Sequence, residues 1–267
     1  MRIFLAEWRK LRRPTFFFGT MGSVVFVTGL VTSLLFLLID AKTGNANRGN
    51  RITREMLQLS DGFTIGFRSS NGLLGLVALS VFAAQTAQEY TYGTLRNLLV
   101  RQPRRIRLLI GKYFSMLAFA LLSVLISAIT AIGLALALSG NAKVATENWF
   151  TNDGYTALSH SFGNVLISTI GYGTIGMILG LIFRSPISSI SIGTVYLLVV
   201  ESIISIAWKP ASNWMPGNLL SVVASGGSPI GIEDAPTYSQ ALLRIALYLF
   251  GAILITATLF KRRDVAN

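Results

Sequence analysis

Six apolar runs, each long enough to cross a bilayer as a helix, leave this chain few ways to fold. A hydrocarbon core about 30 Å thick takes roughly 20 helical residues, and runs of that order lie at about 16–39, 69–88, 108–138, 160–183, 186–208 and 239–260. The second and fourth are diluted by Gln85, Gln88, Asn164 and several Gly and Ser residues. Composition agrees, since only 13% of residues are charged and 52% are hydrophobic, whereas about a quarter of a soluble domain is charged. The expected fold is all-α, a polytopic membrane protein with six transmembrane helices in a single domain over residues 1–267. Pro14 opens the first run after only 13 residues, and no small-residue cleavage site follows Ile39. That predicts a retained span and not a removed signal peptide.

Charge falls unevenly between the runs. Residues 1–15, the 88–112 loop, Arg184 and the stretch from Lys261 to Arg263 place fifteen basic residues on one side, opposed only by Glu7, Glu89 and Asp264. The opposite side balances seven bases against seven acids, so the whole net charge of +12 sits on one face. The positive-inside rule makes that face cytoplasmic and puts both termini there. In a soluble chain a pI near 10.5 would point to nucleic acid; here sidedness accounts for it, and no nucleic-acid partner is expected. With no cysteine and a single histidine, His160, neither a disulfide framework nor a thiolate or histidine metal cluster can form. His160 has no triad partner at any suggestive spacing and reads as an interfacial polar residue.

Three segments outside the runs have a pattern. Phe4, Trp8 and Leu11 recur at helical spacing among Arg2, Arg9, Lys10, Arg12 and Arg13, which predicts an interfacial helix over 1–15 that lies on anionic lipid and ends at Pro14. Ile52, Met56, Leu59 and Phe63 make a second stripe, predicting a helix on the outer surface. Within an external hairpin over 210–238, Trp214 to Val223 is apolar but about half of spanning length, so it should dip into the interface without crossing.

Gly171 to Gly176 reads GYGTIG, matching the dinucleotide fingerprint by letter, but that motif needs a strand before it and a βαβ unit around it. On a lipid-embedded helix Gly171, Gly173, Gly176 and Gly180 fit close helix packing instead. Two charges fall inside spans: Glu201, about 10 Å below the outer end of the fifth, and Arg244, about 8 Å into the sixth. Such charges are costly in lipid and should face protein or water. A Glu201–Arg244 ion pair is the expectation, with separate snorkelling of each to the interface as the alternative.

The segment 89–105 is a basic island between the second and third runs. Leu95, Leu98 and Leu99 fall on one helical face, Arg96, Asn97 and Arg101 on the other, and Gly93 and Pro103 bracket them. This predicts an amphipathic helix of about two turns parallel to the membrane. A basic loop that merely anchors to anionic lipid explains the arginines, but not Glu89, Tyr90 and Tyr92 beside that stripe. The order E89-Y-T-Y-G93-T94-L95-R96-N-L98-L99-V-R-Q-P103 resembles the stretch after the second span in permease subunits of type 2 ABC transporters. The likeness extends to the AEWRKLRR start, the six spans and the Pro-Gly hairpin before the last span, and is strongest to short bacterial permeases of antibiotic and bacteriocin efflux or immunity.

The resemblance implies an elbow role for residues 1–15 and a coupling helix in 89–105, through which Glu89, Tyr90, Gly93, Thr94, Leu95, Arg96, Leu98 and Leu99 would contact a separate ATPase. It also implies two ATPase copies, a second permease subunit forming a homodimer, an external gate at Trp214, Pro216, Leu219 and Leu220, and a place in the bacterial plasma membrane. ASGGS at Ala224 to Ser228 resembles the ABC ATPase signature loop but lies on the outer side, and no GxxxxGK[ST] occurs. The chain is therefore expected to be no enzyme and to bind no cofactor, with ATP and Mg held by the partner. An amphipathic or lipid-like compound or a peptide antibiotic is the expected cargo. The alternatives are an ion-coupled secondary carrier using Glu201 and a membrane scaffold or sensor.

Overall fold

The computed structural model describes residues 2–39, 52–94, 105–227, 229 and 235–262. Among them every regular element is helical. In chain order these are α1 (Arg2–Leu11), α2 (Pro14–Leu37), α3 (Arg54–Gln58), a 3-10 turn (Gly62–Thr64), α4 (Ile65–Ser69), α5 (Asn71–Thr91), α6 (Arg105–Ser139) and α7 (Asn152–Phe183). Then come α8 (Pro186–Ala207), with a π-turn at Tyr196–Val200, α9 (Lys209–Ser212), α10 (Pro216–Ala224) and α11 (Tyr238–Arg262).

Five helices, α2, α6, α7, α8 and α11, are long and apolar enough to cross a membrane, and this is a membrane protein. A sixth span arises only when the Gly62–Ser69 segment is joined to α5 across a bend of 40°. At the bend the Ser70 hydroxyl donates to the Phe67 carbonyl at 2.8 Å, a local bond that competes with helix continuation. The α7 helix begins at Asn152, well before the expected 160, because Thr151 caps it by accepting from the Gly154 N–H at 3.3 Å.

Helix α7 is the centre of the bundle: 61% of its apolar window is buried, against 11% for α8 and 17% for α11. Its glycines explain why. Gly176 lies on the Leu79 carbonyl of α5 and Gly180 on Ala83, so the two backbones touch. Gly173 receives the Phe82 ring and Gly171 receives Leu220 of α10. The GYGTIG stretch is thus a contact surface on which α5 and α10 seat, as expected of small residues in lipid.

The end of the bundle opposite the N-terminus is closed by Trp149, fully buried between Phe36 and Phe63, with its indole N–H donating to the Leu57 carbonyl at 2.8 Å. This changes the expected surface helix over 52–63. Only Arg54–Gln58 is α-helical, Leu57 and Phe63 are buried, and Met56 and Leu59 are exposed. The helix ends where Leu59 turns extended (ψ 163°), and the Leu57 carbonyl in its last turn takes the Trp149 N–H.

A methyl group at Gly176 would collide with the Leu79 carbonyl, whereas one at Gly163 meets nothing within 4 Å. Gly176→Ala should therefore destabilise the detergent-solubilised protein by about 1–3 kcal/mol, the usual range for overpacking. Gly163→Ala should leave the thermal midpoint unchanged or slightly raised.

Candidate functional site

Four charged side chains from three elements converge at the end of the bundle that holds the N-terminus. Glu7 and Lys10 lie one turn apart on α1, beside the stripe of Phe4, Trp8 and Leu11. That stripe docks α1 along the start of α6: Leu11 is buried, Trp8 meets Phe119 edge-on at 6.5 Å, and the Ser115 hydroxyl donates to the Phe4 carbonyl at 3.1 Å. Gly111 leaves room for Ile3 to lie against α6. Docked this way, Glu7 and Lys10 face Lys112 of α6 and Glu89 of α5.

The contacts alternate in sign around a closed ring. Lys10 Nζ lies 2.6 Å from Glu7 Oε1 and 2.9 Å from Glu89 Oε1. Lys112 Nζ lies 3.2 Å from Glu7 Oε2 and 2.7 Å from Glu89 Oε1, and also donates to the Gln85 carbonyl at 2.9 Å. Glu7, Glu89 and Lys112 are only 4%, 7% and 3% exposed. Two acids and two ammoniums cancel, so the desolvation that would penalise any one of them is offset by two opposite neighbours. Burial alone would raise the Glu7 pKa, but the Lys112 charge and the hydrogen bond from Lys10 hold it below its ordinary 4.5. For Lys10, burial acts downward and is overcome by the charge of Glu89 and the hydrogen bond to Glu7, which lift it above 10.5. The sign of the linkage follows. The Glu7 contribution is present above pH 4.5 and lost as pH falls through its lowered value, and that of Lys10 is present below pH 10.5 and lost as pH rises through its raised one.

Two ammoniums draw the Glu89 carboxylate into the ring, so most of its side chain is buried. Tyr90 is half-buried with the Arg184 guanidinium 5.4 Å over its ring, Arg184 being the left-handed residue (φ 55°) that ends α7. Gly93, at φ +63°, ends α5, and Tyr92 and Thr94 are exposed beyond it. Leu95, Arg96, Leu98 and Leu99 lie outside the described residues. Among the described residues at this end, a cavity of about 320 Å³ opens between the end of α1, the start of α2 and the end of α5, bordered by Lys10, Arg13, Gln88 and Tyr92.

The two charges inside spans act on the hairpin, not on each other. Glu201, 3% exposed, accepts the Gly217 N–H at 3.0 Å with one oxygen and the Asn218 N–H at 3.2 Å with the other. Arg244 donates to the Asn213 carbonyl at 2.8 Å and lies 4.2 Å over the Trp214 ring. The expected Glu201–Arg244 pair is absent because the first turn of α10 presents N–H groups that have no acceptor within their own helix, and a carboxylate satisfies two at once. Arg244 in turn finds a carbonyl and an aromatic face. Leu219 and Leu220 are fully buried under this strap, Pro216 starts α10 and Trp214 is exposed. Tyr172 donates to the Gly217 carbonyl at 3.1 Å and Ser168 to that of Leu220 at 2.8 Å, so α10 is a half-length helix held on α7.

Residues 49–266 match the family described as "Protein of unknown function (DUF2705)". The chain belongs to this family. The DUF2705 match takes in Glu89, Lys112, Glu201 and Arg244 and stops short of α1. The chain is also similar to "Uncharacterized protein YhcI" of Bacillus subtilis (strain 168), at 27% identity over 209 residues, covering 73% of this chain and 66% of that protein. It thus spans just under two thirds of that relative's length.

Sequence reasoning missed the partners that close the ring. Glu7 and Glu89 are nearly the only acids on a strongly basic face, and that rarity was the available signal. Removing one member of a buried charge cluster typically costs about 3–5 kcal/mol. Lys112→Met should lower unfolding stability by about that much, and adding Glu89→Gln should recover part of the loss, read as positive coupling in a double-mutant cycle.

Proposed function

We propose that this chain is the membrane-spanning subunit of an ATP-driven ABC transporter, moved by a separate ATPase that acts at residues 89–105. The observation that carries the reading is the buried ring, which ties α1 to the ends of α5 and α6 that flank this segment. A push on the segment then reaches both spans and α1 together. Helix α6, with 35 residues or about 52 Å, is long enough to continue beyond the bilayer as a lever. The order from Glu89 to Pro103, with its likeness to type 2 permeases, supplies the partner. Tyr92 and Thr94 face outward at its start, and Glu89 serves as a positioning residue behind them.

In this reading six spans cross the bacterial plasma membrane with both termini cytoplasmic, α1 is the elbow, and two ATPase copies hold the ATP and Mg. A second copy of the chain completes the permease. The open apolar faces of α8 and α11, with Ile203, Ile206, Leu243 and Leu247 exposed, support contact with lipid or with that copy. The hairpin strapped by Glu201 and Arg244 is the outer gate, and the cargo is an exported amphipathic or lipid-like compound or peptide antibiotic. The ion-coupled carrier draws less support, since both Glu201 oxygens already hold backbone N–H groups.

Purification of the tagged full-length chain from its native membrane tests the reading. A soluble protein carrying GxxxxGK[ST] should copurify with it, and Leu95→Asp should abolish that association and ATP-dependent transport while membrane insertion stays intact. Retention of both by Leu95→Asp refutes the assignment.

A further inference from the structure

At the end of α5 opposite the ion ring, a cavity of about 670 Å³ opens among α3, α4 and the adjoining ends of α5, α7 and α10. Its size falls within the range of small-molecule sites, about 300–1,000 Å³. On its wall Arg68 Nη2 lies 2.6 Å from Asp61 Oδ2, an ion pair only partly buried and so open on one side to the cavity. Asn71, at the first turn of α5, also lines it. Asn71 is 2% exposed, and among the described residues neither the nitrogen nor the oxygen of its carboxamide has a hydrogen-bond partner. Buried polar atoms left unpaired are uncommon in folded proteins and call for a specific cause. The apolar part of the lining comes from Ile52, Met56, Leu59 and Ile65.

We propose that this cavity binds a small zwitterion carrying an amide, the chemistry of a free dipeptide. The adjacent guanidinium and carboxylate of Arg68 and Asp61 complement a carboxylate and an ammonium held on one molecule. The Asn71 carboxamide, one acceptor with two donor hydrogens, complements the N–H and C=O of a peptide unit. Met56 and Leu59, exposed at the rim, cover a hydrocarbon side chain. The walls belong to the central α5–α7 pair and its caps, not to the open apolar faces of α8 and α11, so the ligand enters from water and not from the bilayer. This site is independent of the ATPase reading, and in the orientation proposed above it faces the outer side.

The test uses the full-length protein in lipid nanodiscs, with leucylglycine as probe and saturation-transfer NMR and calorimetry as readouts. Leucylglycine should bind saturably, and N-acetyl-leucylglycinamide, which has the same amide and side chain without the charges, should bind about tenfold or more weakly, a loss of about 1.4 kcal/mol. Asn71→Ala and Arg68→Gln should each weaken leucylglycine to a similar degree. Leu59→Asp, on the exposed rim where folding is not at issue, should do so as well. No saturable binding of leucylglycine to the unaltered protein overturns the proposal, as does equal binding of the blocked compound. Tighter binding of glycerophosphoethanolamine than of leucylglycine would reassign the cavity to a lipid headgroup and overturn it too.

Discussion

Everything at the N-terminal end of this molecule depends on four charges that cancel where water is scarce. A lone Lys112 or Glu89 at so little exposure would carry a desolvation cost of several kcal/mol. In the ring each carboxylate meets two ammoniums, and the cluster as a whole is neutral. Because its members come from α1, α5 and α6, the neutrality holds only while all three elements stay together. Apolar contacts of Trp8 and Leu11 place α1 against α6, but apolar contacts in lipid discriminate poorly between registers. The ring fixes one register, since sliding α1 by a turn would strand buried charge.

The same logic recurs at the far end of the spans with different groups. The first turn of α10 offers N–H donors inside the bundle, and Glu201 answers them, while Arg244 holds the loop before it through Asn213 and Trp214. A half-length helix is tolerable in a membrane only if its free backbone groups are met by protein. Between these two polar clusters the α5–α7 seam carries no charge and relies on glycine, so that backbone meets backbone at Gly176 and Gly180. The bundle therefore has an uncharged, closely packed centre and a charge-locked joint toward either end of its long axis.

Five of the six expected spans were legible in the sequence because length and hydropathy alone decide whether a run can cross a bilayer, and the second reaches that standard only together with Gly62–Ser69. Their ends were less so, since capping by Thr151 and the turn-back of Ser70 are local hydrogen bonds that hydropathy does not register. The half-length of α10 was legible in its short apolar run between prolines and glycines, whereas its seating on α7 rests on hydrogen bonds from Tyr172 and Ser168 that hydropathy does not register. The charged clusters were only half legible: Glu89 stood out as an acid among bases, yet its partners Glu7, Lys10 and Lys112 come from segments far apart in the chain, and helical spacing speaks only to neighbours within one element. Depth alone placed Glu201 and Arg244 near each other. It could not say that the α10 backbone would compete for the carboxylate, because that requires knowing where the half-helix points.

The claim that the ring makes α1, α5 and α6 one rigid block is open to direct measurement. The chain has no cysteine, so spin labels can be set singly at exposed Leu5 of α1 and exposed Ile110 of α6 in the protein embedded in nanodiscs, and the distance distribution read by pulsed electron resonance. A single narrow distance that broadens or splits in Lys112→Met is the result this account predicts. A distribution already broad in the unaltered protein, or one that Lys112→Met leaves unchanged, would contradict it.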